Sequence, residues 1–354
     1  MLNLHLLIIK LWKKNSIFLY LMFVFSGIYF IVSKLKEKFT KGYVSKKFII
    51  CVGNVVVGGA GKTPIAKFIA ESLIKKGYKI CFLSRGYKKK SKEKLFFVIN
   101  TDLDYINPIL KEKYSYKYSS YLAGDEAYML SFVAPVCVSS NRVKAIQEIE
   151  KYDFDIVIMD DGLQNYNIIK NYSILVFDSF MGVLNGKILP MGPLREKISN
   201  GVKKSNLIVI NGDKNEKLEK QIFQNKKNLD IKLCYNKIDM ENYNLHGIIK
   251  YNKNGFLVFC SIGYPDKFYN FLKINGINVK KTVEYPDHYF YTKNDLKNLE
   301  EMAVKYNLKL MTTEKDSVKI DGDFLQNVIV VNLKLKIDNF VLEHIMENYE
   351  KFKN

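Results

Sequence analysis

Glycines ahead of a Lys-Thr pair are the first residues in this chain whose types and spacing can do chemistry. Gly58-Gly59-Ala60-Gly61-Lys62-Thr63-Pro64 follows the apolar run Phe48–Val52 and precedes Ile65–Ile74, whose spacing is helical. Strand, glycine-rich loop and helix in that order are the context of a phosphate-binding loop. Backbone N–H groups can converge on phosphate where no Cβ intrudes. Lys62 would reach the β- and γ-phosphates, and the Thr63 hydroxyl would hold Mg²⁺. Pro64 suits a first helical turn, where a missing N–H costs nothing. Val56 stands where the general pattern has glycine, so the loop keeps its turn chemistry but departs from the motif. The expected ATP-binding set is Val56, Val57, Gly58, Gly59, Ala60, Gly61, Lys62 and Thr63.

A second apolar run, Asp155–Met159, leads into Asp160-Asp161-Gly162-Leu163-Gln164. An acid at the end of such a strand is where a P-loop enzyme meets its metal. Adjacent acids on extended backbone point to opposite sides, so one can serve Mg²⁺ while the other lies near the nucleophile or a loop. A helix cap after the strand is the plainer alternative.

Only three of the 55 basic residues are arginines, and each falls beside a motif: Ser84-Arg85-Gly86-Tyr87, Asn141-Arg142 and Gly192-Pro193-Leu194-Arg195-Glu196. A planar guanidinium binds phosphate bidentately, which makes each a candidate phosphate ligand. Asp125, in Gly124-Asp125-Glu126, reads equally as a helix N-cap or a site carboxylate. His288, in the loop Tyr285-Pro286-Asp287-His288-Tyr289, reads by itself as a structural histidine.

These residues need a frame. Residues 44 to about 212 alternate strand-like and helical stretches, the pattern of a parallel sheet with crossover helices. A polar tract, Asp213–Asp230, then separates a second alternation with strands expected at Gly255–Ser261, Lys309–Thr312 and Val328–Val331. The expected class is α/β, a P-loop NTPase-like parallel-sheet domain (41–230) followed by a smaller α/β domain (231–354). A C-terminal helix, Asn339–Phe352, is expected to close back on the first domain, with the site in the cleft between them.

Residues 1–40 form a different kind of segment. Ser16–Ser33 carries no charge over 18 residues, long enough as a helix to approach the hydrocarbon thickness of a bilayer. Lys10, Lys13 and Lys14 precede it; six lysines between Lys34 and Lys47 follow. A cleaved signal peptide fits poorly, because no small-residue cleavage site follows. A span and a helix embedded from one side both remain open, and the basic flanks suit anionic headgroups.

Composition narrows the rest. The 354 residues are 48% hydrophobic and include 24 Tyr and 23 Phe, which excludes a disordered chain. The +19 net charge calls for an anionic partner: membrane, nucleic acid or phosphorylated substrate. Five scattered cysteines without a C-x-x-C pair argue against zinc or a disulfide framework.

Taken as an ordered set, these motifs, with Thr312-Thr313-Glu314-Lys315-Asp316, resemble the tetraacyldisaccharide 4′-kinase family of lipid A biosynthesis. The loop with Val56 is also similar to that family's. The resemblance implies ATP-dependent phosphorylation of the 4′-hydroxyl of a tetraacylated glucosamine disaccharide 1-phosphate, giving lipid IVA. It places the enzyme at the inner membrane, with its catalytic domain on the cytoplasmic face. It implies Asp125 as general base assisted by His288, with Asp161, Lys62 and Arg195 in the catalytic set. Thr63 and Asp160 are then the metal ligands, and Arg85, Arg142 and Gln164 face the substrate. One departure stands: the family reads DDGxQH, and Asn165 occupies the histidine's place, where it can hydrogen-bond but not titrate. A membrane-associated P-loop ATPase acting as a switch is the alternative function. A nucleic-acid partner is not expected, because no binding motif accompanies the dispersed lysines.

Overall fold

The computed structural model describes residues 4–14, 17–224, 232–240, 248 and 251–354. In chain order its strands are β1 (Phe48–Gly53), β2 (Ile80–Ser84), β3 (Leu95–Val98), β4 (Val136–Ser139), β5 (Ile156–Asp160), β6 (Tyr172–Asp178) and β7 (Leu207–Asn211). There follow β8 (Lys232–Met240), β9 (Phe256–Cys260), β10 (Val279–Glu284), β11 (Lys309–Thr313), β12 (Val328–Val331) and β13 (Leu333–Lys336). Among the described residues, nine strands make one sheet in the order β13-β8-β7-β6-β1-β5-β2-β4-β3, and four make a second in the order β10-β9-β11-β12.

The large sheet is parallel except at its two ends, where β3 runs against β4 and β13 against β8. Helices cover both faces of such a sheet, so its inner strands should be apolar throughout rather than alternating. That is what β1, β5, β6 and β7 are: every residue in them is buried. Burial of each large aliphatic side chain contributes about 1.5–3 kcal/mol, which makes these four strands the stable floor of the molecule. β1 lies between β6 and β5, so the loop after β1 opens onto the carboxyl end of the sheet, where α/β folds bind ligands.

Residues on both sides of the expected boundary at 230 share the large sheet. The chain leaves that sheet through β8, builds the small four-stranded parallel sheet, and returns through β13 beside β8. The helix Asn339–Lys353 then packs Val341, Ile345 and Tyr349 into the large domain's core. Within the polar tract, Glu216–Phe223 is a helix that buries Leu218 and Ile222; 225–230 lie outside the described residues. All five cysteines are free and buried.

The N-terminal segment is a helix, Leu4–Lys14, then a 3₁₀ turn, Ile17–Met22, and a second helix, Phe23–Phe39. Leu19–Phe39 is apolar enough to cross a membrane by length and composition, with a mean hydropathy of 1.5. Its inward side is tied to the large domain. The Ser26 hydroxyl donates to the Ile188 carbonyl and accepts from the Met191 N–H, each at 3.1 Å, and from the preceding helix the Trp12 indole donates to the Pro190 carbonyl. Its outward side is bare: Leu21, Phe23, Val24, Ile28 and Ile31 are all more than half exposed.

Candidate active site

The phosphate loop begins where β1 ends. The Asn54 side chain is fully buried, with its amide donating to the Val56 carbonyl. Gly61 has φ +82°, and a Cβ there would meet the Asn211 amide at 2.5 Å, so only glycine fits ahead of the helix Lys62–Lys75. Val56 is accommodated because its stretch of loop is extended. It bridges Leu194, the Val57 N–H donates to the Pro193 carbonyl, and the Arg195 N–H donates to the Val55 carbonyl, both at 2.8 Å. The Gly192–Glu196 turn therefore clamps the loop as a strand would, and no positive φ is required at position 56.

That clamp also delivers Arg195. Its Nη1 lies 2.7 Å from Asp161 Oδ1, and Lys62 Nζ lies 3.6 Å from the same oxygen. Asp161 does not continue the strand's alternation; its φ of +52° turns it out of β5. Burial would raise the Asp161 carboxyl, but the charges of Lys62, Arg195 and Arg142 outweigh it and hold it well below the ordinary carboxylate range.

Asp160, the last residue of β5, behaves in the opposite way. Burial, then the charge of Glu126, push its carboxyl up to about 7, against the pull of Lys62. Its Oδ2 accepts the Thr63 hydroxyl at 2.9 Å, while its Oδ1 is buried without a hydrogen-bond partner. A carboxylate oxygen left unpaired beside the loop threonine fits a divalent cation, which takes few protein ligands and completes its shell with water and phosphate. Thr63 and Asp160 are thus the residues that could hold Mg²⁺.

The second half of the site is an interdomain contact. Asp125 opens the helix Asp125–Leu130 of the large domain; His288 sits on the small domain in the loop after β10. His288 Nδ1 lies 2.8 Å from both Asp125 carboxylate oxygens, and the two side chains are 8% and 2% exposed. Gly124, at φ +90°, lets the start of this helix lie against the Ser84–Tyr87 segment, since a Cβ there would lie 2.7 Å from the Tyr87 carbonyl. His288 itself has φ +59°, an uncommon conformation for a non-glycine residue, and its N–H is fastened to the Ser261 carbonyl at 3.1 Å. Burial would raise the Asp125 carboxyl. The His288 hydrogen bond and the charge of Lys315 prevail and hold it below the ordinary carboxylate range.

Of the remaining expected residues, Arg142 is buried, with Nη2 donating to the Asp161 carbonyl at 3.1 Å and Nη1 without a partner. Arg85 is exposed, close enough for its charge to act on Arg142. Gln164 is engaged within the site wall: its amide donates to the Asn54 carbonyl and to Glu196, and its oxygen accepts from Arg195. Asn165 uses its side-chain oxygen in a local turn, accepting the Asn167 N–H. An open cleft of about 390 Å³, lined by Lys88–Lys90 and Pro286–Phe290, lies over His288.

Sequence reasoning missed Lys315, Lys319 and Glu126 as parts of the site. Lys315 carried a signal, since it lies inside Thr312–Asp316; Lys319 carried none. Further ties cross the same seam: Lys67 pairs with Glu314, Lys267 with Asp178, and the Lys88 ammonium donates to the Asp287 carbonyl.

A family model described as tetraacyldisaccharide-1-P 4′-kinase matches residues 18–350. The tetraacyldisaccharide 4′-kinase of Parvibaculum lavamentivorans is 31% identical over 274 residues, 77% of this chain and 73% of that protein. The one from Bartonella henselae is 30% identical over 357 residues, covering 97% of each chain. A crystal structure of "apo" form LpxK from Aquifex aeolicus, in complex with ATP, superposes with a TM-score of 0.70 at 24% identity, covering 94% of this chain and all of that one.

Proposed function

The chain belongs to the tetraacyldisaccharide-1-P 4′-kinase family, and on that premise we propose how its own residues carry the reaction. It is a kinase of lipid A biosynthesis: the 4′-hydroxyl of a tetraacyl disaccharide 1-phosphate takes the γ-phosphoryl group of ATP. Phosphoryl transfer asks for positioning and charge more than for covalent chemistry. Loop N–H groups and Lys62 cradle the triphosphate. Arg195 and Arg142 flank the transferring group, with Asp161 orienting both arginines and Lys62. A divalent cation held by Thr63 and Asp160 would supply charge neutralisation at the phosphate oxygens. At the acceptor, the sugar oxygen forms its bond to phosphorus, the bond to the β,γ-bridging oxygen breaks, and the hydroxyl proton passes to Asp125. His288 holds that carboxylate in place.

The single observation that carries this reading is the 2.8 Å contact between His288 and a carboxylate with almost no exposure, on a helix packed against the one that follows the phosphate loop. A helix cap needs no such partner from another domain. A carboxyl held below its ordinary range is a weak base in water, but in a loose transition state the proton leaves late, so orientation matters more than strength.

The membrane reading follows from the N-terminal helices. Ser26, in the middle of the apolar segment, is hydrogen-bonded to the large domain, which a helix crossing the bilayer alone could not do. We place this helix along one leaflet, its bare face among acyl chains and its lysines at headgroup level. A four-chain lipid acceptor stays in that leaflet, so the enzyme comes to it.

The test is transfer of label from γ-labelled ATP to the tetraacyl disaccharide 1-phosphate in mixed micelles. The expected product is labelled at the 4′-position; Asp125→Asn should still bind ATP and lose transfer by about 10²-fold or more. Wild-type transfer by Asp125→Asn would remove the base role.

A further inference from the structure

The Thr312–Asp316 motif has no part in the reaction as described, yet its three charged side chains leave one short turn in three directions. Glu314 pairs with Lys67 on the helix that follows the phosphate loop. Asp316, fully buried, accepts hydrogen bonds from the Ser261 N–H and hydroxyl, the Tyr291 and Thr313 hydroxyls and Lys319. It anchors the turn to the small domain's floor. Lys315, between them, reaches into the catalytic pair. Its Nζ is 3.2 Å from His288 Nε2, 3.3 Å from Glu126 Oε1, 3.7 Å from Asp287 Oδ1 and 3.9 Å from Asp125 Oδ2.

An ammonium has three donors and no acceptor. Burial would lower Lys315, but the charges of Glu126, Asp125 and Asp287 outweigh it and keep the side chain protonated. His288 Nε2, within hydrogen-bond reach of that ammonium, must offer its lone pair. The ring proton then belongs on Nδ1, facing the Asp125 carboxylate. We infer that Lys315 is a positioning residue that takes the Nε2 lone pair of His288 and so turns the Nδ1–H toward Asp125.

The other groups around the imidazole agree with this assignment. Asp287 Oδ2 lies 3.7 Å from Nε2, too far to accept a hydrogen bond from it. Lys319, 3.9 Å from Asp125 Oδ2, adds positive charge on the carboxylate side, and Lys88 occupies the Asp287 carbonyl. The Tyr87 ring meets the imidazole edge-on. With an imidazolium in place of the neutral ring, Asp125 would be locked in an ion pair and the acceptor hydroxyl would face a weaker base. Lys315 also grips Glu126 across the seam, so the small domain brings it to the catalytic pair together with His288.

This inference rests on Asp125 and His288 acting as the base pair, and its test separates the two. Full-length protein labelled with ¹⁵N-histidine, in detergent, reports the His288 nitrogens directly, assigned by difference from His288→Asn. Near neutral pH the wild type should show a protonated Nδ1 and a bare Nε2. Lys315→Met should protonate Nε2 as well and lower kcat by about 10²-fold, with KM for ATP and lipid within about twofold. Lys315→Arg, also a donor-only cation, should keep the wild-type nitrogen pattern and recover most of kcat. A proton on Nε2 in the wild type overturns the inference, and needs no variant to fold. So does a Lys315→Met protein with unchanged nitrogens and unchanged kcat. Asp125→Asn at the wild-type rate would instead remove the base reading, leaving the tautomer to be decided by the spectrum.

Discussion

At the phosphate end of the site, Lys62, Thr63, Asp160, Asp161 and Arg195 all hang from the carboxyl edge of one sheet, and every contact among them lies within the large domain. At the end proposed for the acceptor, Asp125 comes from that domain and His288 from the other, 163 residues away in sequence. The first region is preformed by four fully buried strands and a clamped loop. The second exists only when two domains with separate main cores meet, joined by ion pairs, a histidine in an uncommon conformation, the Tyr121–Phe290 ring contact and Tyr264, which packs with Met181 and Met191 of the large domain. Nucleotide binding should therefore be robust to damage at the seam, while transfer should not.

The contrast can be broken or sharpened from both ends. Lys62→Ala attacks the preformed half. It should cost about 10³-fold in kcat/KM, the scale for removing one preorganised charge donor, and should weaken ATP binding measured by calorimetry. Lys62→Ala with full ATP affinity and turnover would end the cradle reading.

The next largest effect concerns neither half but the bare helix face that is proposed to lie in the leaflet. Leu21→Glu with Ile28→Glu puts two charges on the bare helix face without touching Ser26. Vesicle co-sedimentation should fall by about 10²-fold, since each buried aliphatic side chain is worth about 1.5–3 kcal/mol, while hydrolysis-independent ATP binding stays put. Unaltered sedimentation would mean that this face is not the one in the leaflet.

A smaller and oppositely signed effect is expected at Asp160. Its raised pKa means the folded protein holds a proton that the unfolded chain has released between about pH 4 and 7. Stability of the nucleotide-free protein in EDTA should therefore decline as pH rises through that window. Asp160→Asn removes the ionisation and should raise Tm at pH 8 by a few degrees, a gain of order 1 kcal/mol, with little gain at pH 4. The same variant should lose the further stabilisation that Mg-ATP gives the wild type. A lower Tm at pH 8 would contradict the raised pKa.

The smallest effect lies in the seam's outer ties. Lys67→Met opens a partly exposed pair with Glu314, and such pairs are worth about 1 kcal/mol or less. Transfer should fall only a few-fold and ATP affinity should not change. A drop in affinity equal to the drop in kcat would mean that the two halves are not separable.

What the sequence disclosed follows the same division. The phosphate end was legible because its signals are local: an apolar strand, its glycines and a Lys-Thr pair are contiguous, and Asp160 closes another apolar run. The bridge to Leu194 explains Val56, but it spans 138 residues and nothing in either segment announces it. The meeting of Asp125 with His288 was legible only through resemblance, since Asp125 alone reads as a cap and His288 alone as a loop histidine. Lys319 was invisible, because a lysine buried by tertiary packing looks like any other in a chain so rich in lysine. The small domain's edges were obscured for a related reason: β8 and β13 belong to the first sheet by pairing, and pairing between distant segments leaves no periodic mark.

The most direct test of the two-domain site is a double-mutant cycle on kcat, with ATP affinity followed in parallel, using Asp125→Asn, His288→Asn and the pair. Asp125→Asn should lose about 10²-fold or more, His288→Asn a comparable amount, and the double variant no more than Asp125→Asn alone, with ATP affinity unchanged throughout. Losses that multiply in the double variant, or fall equally on ATP affinity, would contradict a base assembled as one unit across the seam.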